Sequence, residues 1–232
     1  MTQPSTNGGT PASSGRTPAQ GNRLDPWYDV YADRAHNLRA SEIRALFSVV
    51  SRPEVVSLAG GMPNLKDLPL DKLAASAEKL VRNHGAQAMQ YGSGQGWEVL
   101  RERITEVMTY DGIVGADPDD VVVTTGSQQA LDLVTELFVN PGDVILAEAP
   151  SYVGALGVFR ARQADVVHVP MDENGIIPEA LVETIRDVRA SGRTIKFIYI
   201  IPNYHNPAGV TLSAERRPII AEICLREHVL IV

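Results

Sequence analysis

Apolar residues recur along this chain with two alternating periods. From residue 121 onward, short and nearly all-apolar runs are followed by stretches in which apolar residues return every three or four positions. The runs at 121–123, 144–146, 166–169, 195–201 and 229–232 predict strands. The stretches between them predict helices. One covers 128–138, with Leu131, Val134 and Phe138 inward, and one runs from Val153 to Arg162. A third is opened by Pro178 and carries Leu181, Val182, Ile185 and Val188; proline is tolerated in a first turn. The last covers 213–227, with Ile219, Ile220, Ile223 and Cys224 apolar. Upstream, helices are predicted at about 40–50 (Ser41 as cap; Ile43, Leu46, Phe47 and Val50 on one face) and at 71–83, with a short strand at 55–58. A glycine-rich loop, Tyr91-Gly92-Ser93-Gly94-Gln95-Gly96, opens another helix with Trp97, Leu100, Ile104, Val107 and Met108 on one side. Strands this apolar, alternating with helices, imply an α/β fold: a mostly parallel sheet with helices on both faces. The final strand ends at Val232 with no covering helix, so the sheet reads as incomplete at the C-terminus.

Composition narrows the function classes. The 232 residues carry a net charge of −7, which argues against a nucleic-acid partner. No apolar run reaches membrane-spanning length. The one cysteine, Cys224, has no internal partner and falls in an apolar helical pattern, so a reducing, cytoplasmic setting is expected. Residues 1–24 are rich in Ser, Thr, Gly, Pro and Gln; they read as a disordered tail ahead of an N-terminal arm and partial small domain (25–60) and a partial large domain (61–232).

Three loops follow predicted strands and carry candidate chemistry. Thr124-Thr125-Gly126-Ser127-Gln128 runs from a strand into a helix, whose free N–H groups and dipole make an anion site. The same residues also suit an ordinary capped turn. Glu148-Ala149-Pro150-Ser151-Tyr152 places an aromatic ring where it can stack on a flat ligand, or where it is simply half-buried in the next helix. Pro202 to Gly209 fixes Asn206 between prolines and a glycine, as an amide donor or as turn chemistry. Ligands bind at the carboxyl edge of such sheets, and a planar aromatic phosphate with a ring hydroxyl would use all three loops. The Gly92 loop is discounted as a dinucleotide site, because Trp97 stands where a third glycine belongs. The five histidines show no metal-ligand spacing; His205 is near the proposed site but reads as lining a turn.

In order and spacing, SLAGGMP (57–63), YGSGQGWEVLR (91–101), TTGSQQALDL (124–133), EAPSY (148–152) and PNYHNPAG (202–209) resemble the class I/II aminotransferases of fold type I, which depend on pyridoxal 5′-phosphate. The look is nearest to the 2-aminoadipate and multisubstrate branch. The resemblance covers about Asp25 to Val232. It implies that Ser127 and Gln128 hold the cofactor phosphate, that Tyr152 stacks on the pyridine ring and that Asn206 bonds the ring 3-hydroxyl. Tyr91 would reach the phosphate of the neighbouring subunit in a homodimer, and Gly60 and Gly61 would lie near the substrate carboxylate. Arg44 would clasp a distal carboxylate of an acidic substrate, or else sit solvated on its helix. Ala149-Pro150 and Asn206-Pro207 are cis candidates.

The implied activity is transfer of an amino group from an amino acid to a 2-oxo acid, 2-oxoglutarate being the expected acceptor. That chemistry needs a lysine to carry the cofactor and a carboxylate on its ring nitrogen. The four lysines, Lys66, Lys72, Lys79 and Lys196, do not stand in such a context, so no catalytic residue is assigned. The sequence is therefore expected to be a truncated, inactive portion of an enzyme. The alternatives are a non-catalytic remnant, a partner subunit or an effector-sensing domain. Arg217-Pro218 departs from the family pattern, since proline beyond a helix's first turn removes a hydrogen bond.

Overall fold

A computed structural model describes residues 25–36, 52, 54–56, 65 and 67–232. The helix expected at 40–50, with Ser41 and Arg44, lies outside the described residues, as do the tail and the SLAGGMP motif with Gly60 and Gly61. The chain divides into two compact units, 1–39 and 40–232. In the first, a 3-10 turn at Tyr28–Val30 precedes a turn of α-helix at Asp33–His36. Asp25 braces it, accepting from the Trp27 N–H at 3.1 Å and from the Tyr31 hydroxyl at 2.8 Å.

The second unit is built on a five-stranded sheet: β1 (Val144–Ala149), β2 (Asp165–Asp172), β3 (Gly175–Ile176), β4 (Ile195–Tyr199) and β5 (Leu230–Ile231), in the order β3-β2-β1-β4-β5. All pairs are parallel except β2 with the short β3, which the apolar pattern did not foretell. The helices are α1 (Leu70–Ala88), α2 (Glu98–Met108), α3 (Ser127–Phe138), α4 (Val153–Ala161), α5 (Pro178–Ala190) and α6 (Arg216–Arg226).

Alternation along β1 divides the core. Val144 and Leu146 join Leu181, Ile185, Ile220 and Cys224 of α5 and α6 on one face. Ile145 points the other way, into Leu131, Ala155, Phe159 and Phe197 under α3 and α4. Phe159 meets Phe197 and Tyr199 edge-on, with ring centroids 5.6 Å apart in each pair. Two forked ion pairs tie the layers. Arg162, just past α4, reaches Asp132 of α3 at 2.8 and 2.9 Å, and Arg216 of α6 reaches Asp172 of β2 at 2.6 and 2.8 Å.

Several expectations need correction. The run at 121–123 is not a strand; it has no strand neighbour among the described residues, and the Val123 N–H donates instead to the Gln95 carbonyl at 2.8 Å. Val55 and Val56 are irregular, and the rest of that expected strand is not described. The apolar face of α2 is not buried within this chain: Arg101 is its one buried residue, while Leu100 and Val107 are exposed. β4 ends at Tyr199 rather than at Ile201. Pro218 removes no helical bond, because α6 starts at Arg216 and the proline falls in its first turn, where the N–H has no acceptor anyway.

Candidate active site at the carboxyl edge of the sheet

At the entrance to α3, Gly126 adopts φ +85°, a conformation open to glycine, and turns the chain into the helix. The Thr125 N–H and hydroxyl both donate to Gln129 Oε1, at 2.6 and 2.8 Å, which fastens the turn. Ser127 and Gln128 are then the first two helical residues, exposed, with N–H groups that have no carbonyl one turn behind them. The Gln128 side chain is engaged: its amide donates to the Gly154 carbonyl at 3.2 Å, joining the starts of α3 and α4.

β1 leads into the second loop. Ala149-Pro150 is cis, and Tyr152 follows as the N-cap of α4, half-buried. Its ring lies directly over the Gly154 backbone, so that a Cβ at 154 would stand 2.6 Å from Tyr152 Cε1. The third loop leaves β4. Asn206 is exposed, and its bond to Pro207 is also cis.

Beneath these loops lies a buried polar pair that sequence reasoning missed. Glu148, at the end of β1, and His205, next to Asn206, each have side chains 1% exposed, and His205 Nε2 is 3.0 Å from Glu148 Oε2. The approach is bent and short of a well-directed hydrogen bond. The same Glu148 oxygen accepts the Ile201 N–H at 2.9 Å. Burial pushes Glu148 up to about 7, the Ile201 bond opposing it, and burial pulls His205 below its ordinary value. Burial also raises the Tyr199 hydroxyl, helped by the nearby Tyr152 and Glu148 oxygens. His205 thus does more than line a turn. The signal available in the sequence was a glutamate closing an otherwise apolar strand, since such a carboxylate is seldom buried without a partner. Ser151 Oγ, also buried, has no hydrogen-bond partner among the described residues.

The structure therefore brings Ser127, Gln128, Tyr152 and Asn206 to one edge of the sheet, linked through Gln128–Gly154 and Glu148–His205. Tyr91 is not with them. It is fully exposed and lines a separate cavity of about 630 Å³, with His84, Trp97 and Arg101. Its loop does pack against the segment that leads into α3: Gly96, at φ +102°, lies so close that a Cβ would sit 2.6 Å from Val123 Cγ2, just ahead of the Thr124-Thr125-Gly126 turn.

Residues 53–232 match the family model for aminotransferase class I and II. The chain is 36% identical over 202 residues to an aromatic-amino-acid aminotransferase of Thermococcus litoralis, a match covering 87% of this chain and 48% of that protein. Its fold superposes on a kynurenine aminotransferase of Pyrococcus horikoshii, solved in complex with PMP, with TM-score 0.83 and 32% identity, over 90% of this chain and 52% of that one. It also superposes on an alpha-aminoadipate aminotransferase of Thermus thermophilus, solved with N-(5′-phosphopyridoxyl)-L-leucine, with TM-score 0.75 and 32% identity, over 88% and 49%. The chain belongs to the aminotransferase class I and II family and has the α/β architecture of fold type I. It spans about half the length of the relatives it matches.

Proposed function

We propose that this chain supplies the cofactor edge of an aminotransferase that moves an α-amino group from an amino acid to a 2-oxo acid, with 2-oxoglutarate as acceptor. The cofactor is pyridoxal 5′-phosphate, as the family and the ligands of its solved members indicate. The observation that carries the reading is the convergence at one sheet edge of a helix N-terminus, a half-buried tyrosine and an exposed asparagine amide. These residues fit the cofactor. The first-turn N–H groups of α3 and the Ser127 hydroxyl suit a phosphate dianion. Tyr152 offers a ring face, and Asn206 an amide donor for the ring 3-oxygen. When bound, pyridoxal 5′-phosphate supplies the electron sink that lets an amino acid's α-hydrogen leave as a proton.

The remaining assignments belong to the same proposal. Tyr91 extends to the phosphate site of a second subunit in a homodimer, and Gly60 and Gly61 present backbone to the substrate carboxylate. The division at residues 24 and 60 and a cytoplasmic setting complete it. Arg44 clasps the distal carboxylate of an acidic donor. Arg44→Ala should then lower the preference for acidic over apolar amino donors by about tenfold or more; an unchanged preference would sink that role.

The test of the function is an assay of the full-length protein with 2-oxoglutarate as acceptor and a panel of amino acids as donors, following glutamate formation. Turnover that depends on added pyridoxal 5′-phosphate supports the reading, and its absence contradicts it. The 232-residue polypeptide alone should not turn over. Lys196 lies near the start of β4, at its amino end, paired with Asp143 at 3.3 Å; Lys72 and Lys79 lie on α1, and Lys66 lies outside the described residues.

A further inference from the structure

We propose that Glu148 and His205 form a positioning pair that fastens the Asn206 loop onto the end of β1 and so fixes where the Asn206 amide meets the cofactor ring. The inference rests on the cofactor reading above. Glu148 is the last residue but one of β1, four before Tyr152, and His205 immediately precedes Asn206, so one contact braces both loops. The Ala208 N–H points to His205 Nδ1 at 3.3 Å, which leaves the ring proton on Nε2, the nitrogen facing Glu148. Among the described residues that buried nitrogen has no hydrogen-bond partner, and Glu148 Oε2, at 3.0 Å, is the polar group that faces it. Glu148 in turn is held by the Ile201 N–H at 2.9 Å, from the residue where β4 runs into the loop. The backbone closes the loop on itself, the His205 N–H donating to the Val210 carbonyl at 2.8 Å and the Gly209 N–H to the His205 carbonyl at 2.6 Å. The loop is thus rigid inside, and Glu148–His205 is the side-chain contact that sets its place against β1. Both side chains are buried beneath the loops, so both would act through Asn206 and Tyr152.

Two substitutions at His205 separate the brace from the turn. Glutamine places an amide donor where Nε2 stands and keeps the link to Glu148. Asparagine places an oxygen where Nδ1 stands, accepts the Ala208 N–H and stops short of Glu148. The full-length protein and each variant are titrated with pyridoxal 5′-phosphate, reading the dissociation constant and the visible absorption maximum, with folding checked by circular dichroism. His205→Asn should weaken binding about tenfold and shift the maximum, while His205→Gln stays within about twofold of the parent. The reverse order, equal losses in both, or two variants that match the parent would overturn the inference. Should His205→Asn fail to fold, Glu148→Leu is read in its place. It removes the oxygen that faces both Nε2 and the Ile201 N–H, so the same tenfold loss is expected and unchanged binding overturns the idea. A parent protein that shows no saturable binding contradicts the cofactor reading itself.

Discussion

At the scale of single residues, burial sets Glu148 and His205 against each other. Glu148 is raised to about 7, so between the ordinary carboxylate range and that value the folded chain keeps a proton that the unfolded chain has released. Its contribution to stability therefore falls as pH rises through that window. His205 is lowered, so just below the ordinary imidazole value the unfolded chain holds the extra proton, and this contribution rises with pH. Melting temperatures from about pH 5 to 7 separate the two. Relative to the parent, Glu148→Gln should gain stability with rising pH and His205→Gln should lose it, each by no more than about 1.4 kcal/mol per pH unit. Curves parallel to the parent's would contradict the assignment. Tyr152 and Asn206 were legible in the sequence because their chemistry sits in loops bounded by Pro and Gly. The buried pair was not, because a pairing across 57 positions leaves no local pattern.

At the scale of elements, the strands and helices from residue 127 onward follow the apolar periodicity closely, since each buries its own face within the chain. The pattern misleads at 121–123, where three valines carry strand propensity but have no partner strand among the described residues. It misleads again at α2, where an apolar stripe stays largely exposed. One element boundary carries a prediction. The Tyr152 ring rests on Gly154 at the start of α4, and the Gly154 carbonyl holds the Gln128 amide. Gly154→Ala improves helix propensity by roughly 0.5–1 kcal/mol but must lift the ring away. The variant should melt no lower than the parent yet bind pyridoxal 5′-phosphate about threefold to tenfold more weakly. Affinity equal to the parent's would show that the ring's seat on α4 is irrelevant to the site.

At the scale of the whole molecule, the parallel order β2-β1-β4-β5 puts the carboxyl ends of β1 and β4 side by side, and the loops that leave them carry Tyr152 and Asn206. α3 adds its N-terminus there through the Gln128–Gly154 bond. The topology sets a helix dipole, a ring face and an amide, each ordinary alone, on one edge, which is what the proposed cofactor site rests on. Its most direct test is a titration of the full-length protein with pyridoxal 5′-phosphate, followed by visible absorption, alongside Asn206→Ala. Saturable binding by the parent is predicted, with a shifted absorption maximum and about tenfold weaker affinity in Asn206→Ala. No saturable binding, or an Asn206→Ala protein indistinguishable from the parent, would contradict a cofactor site at this edge.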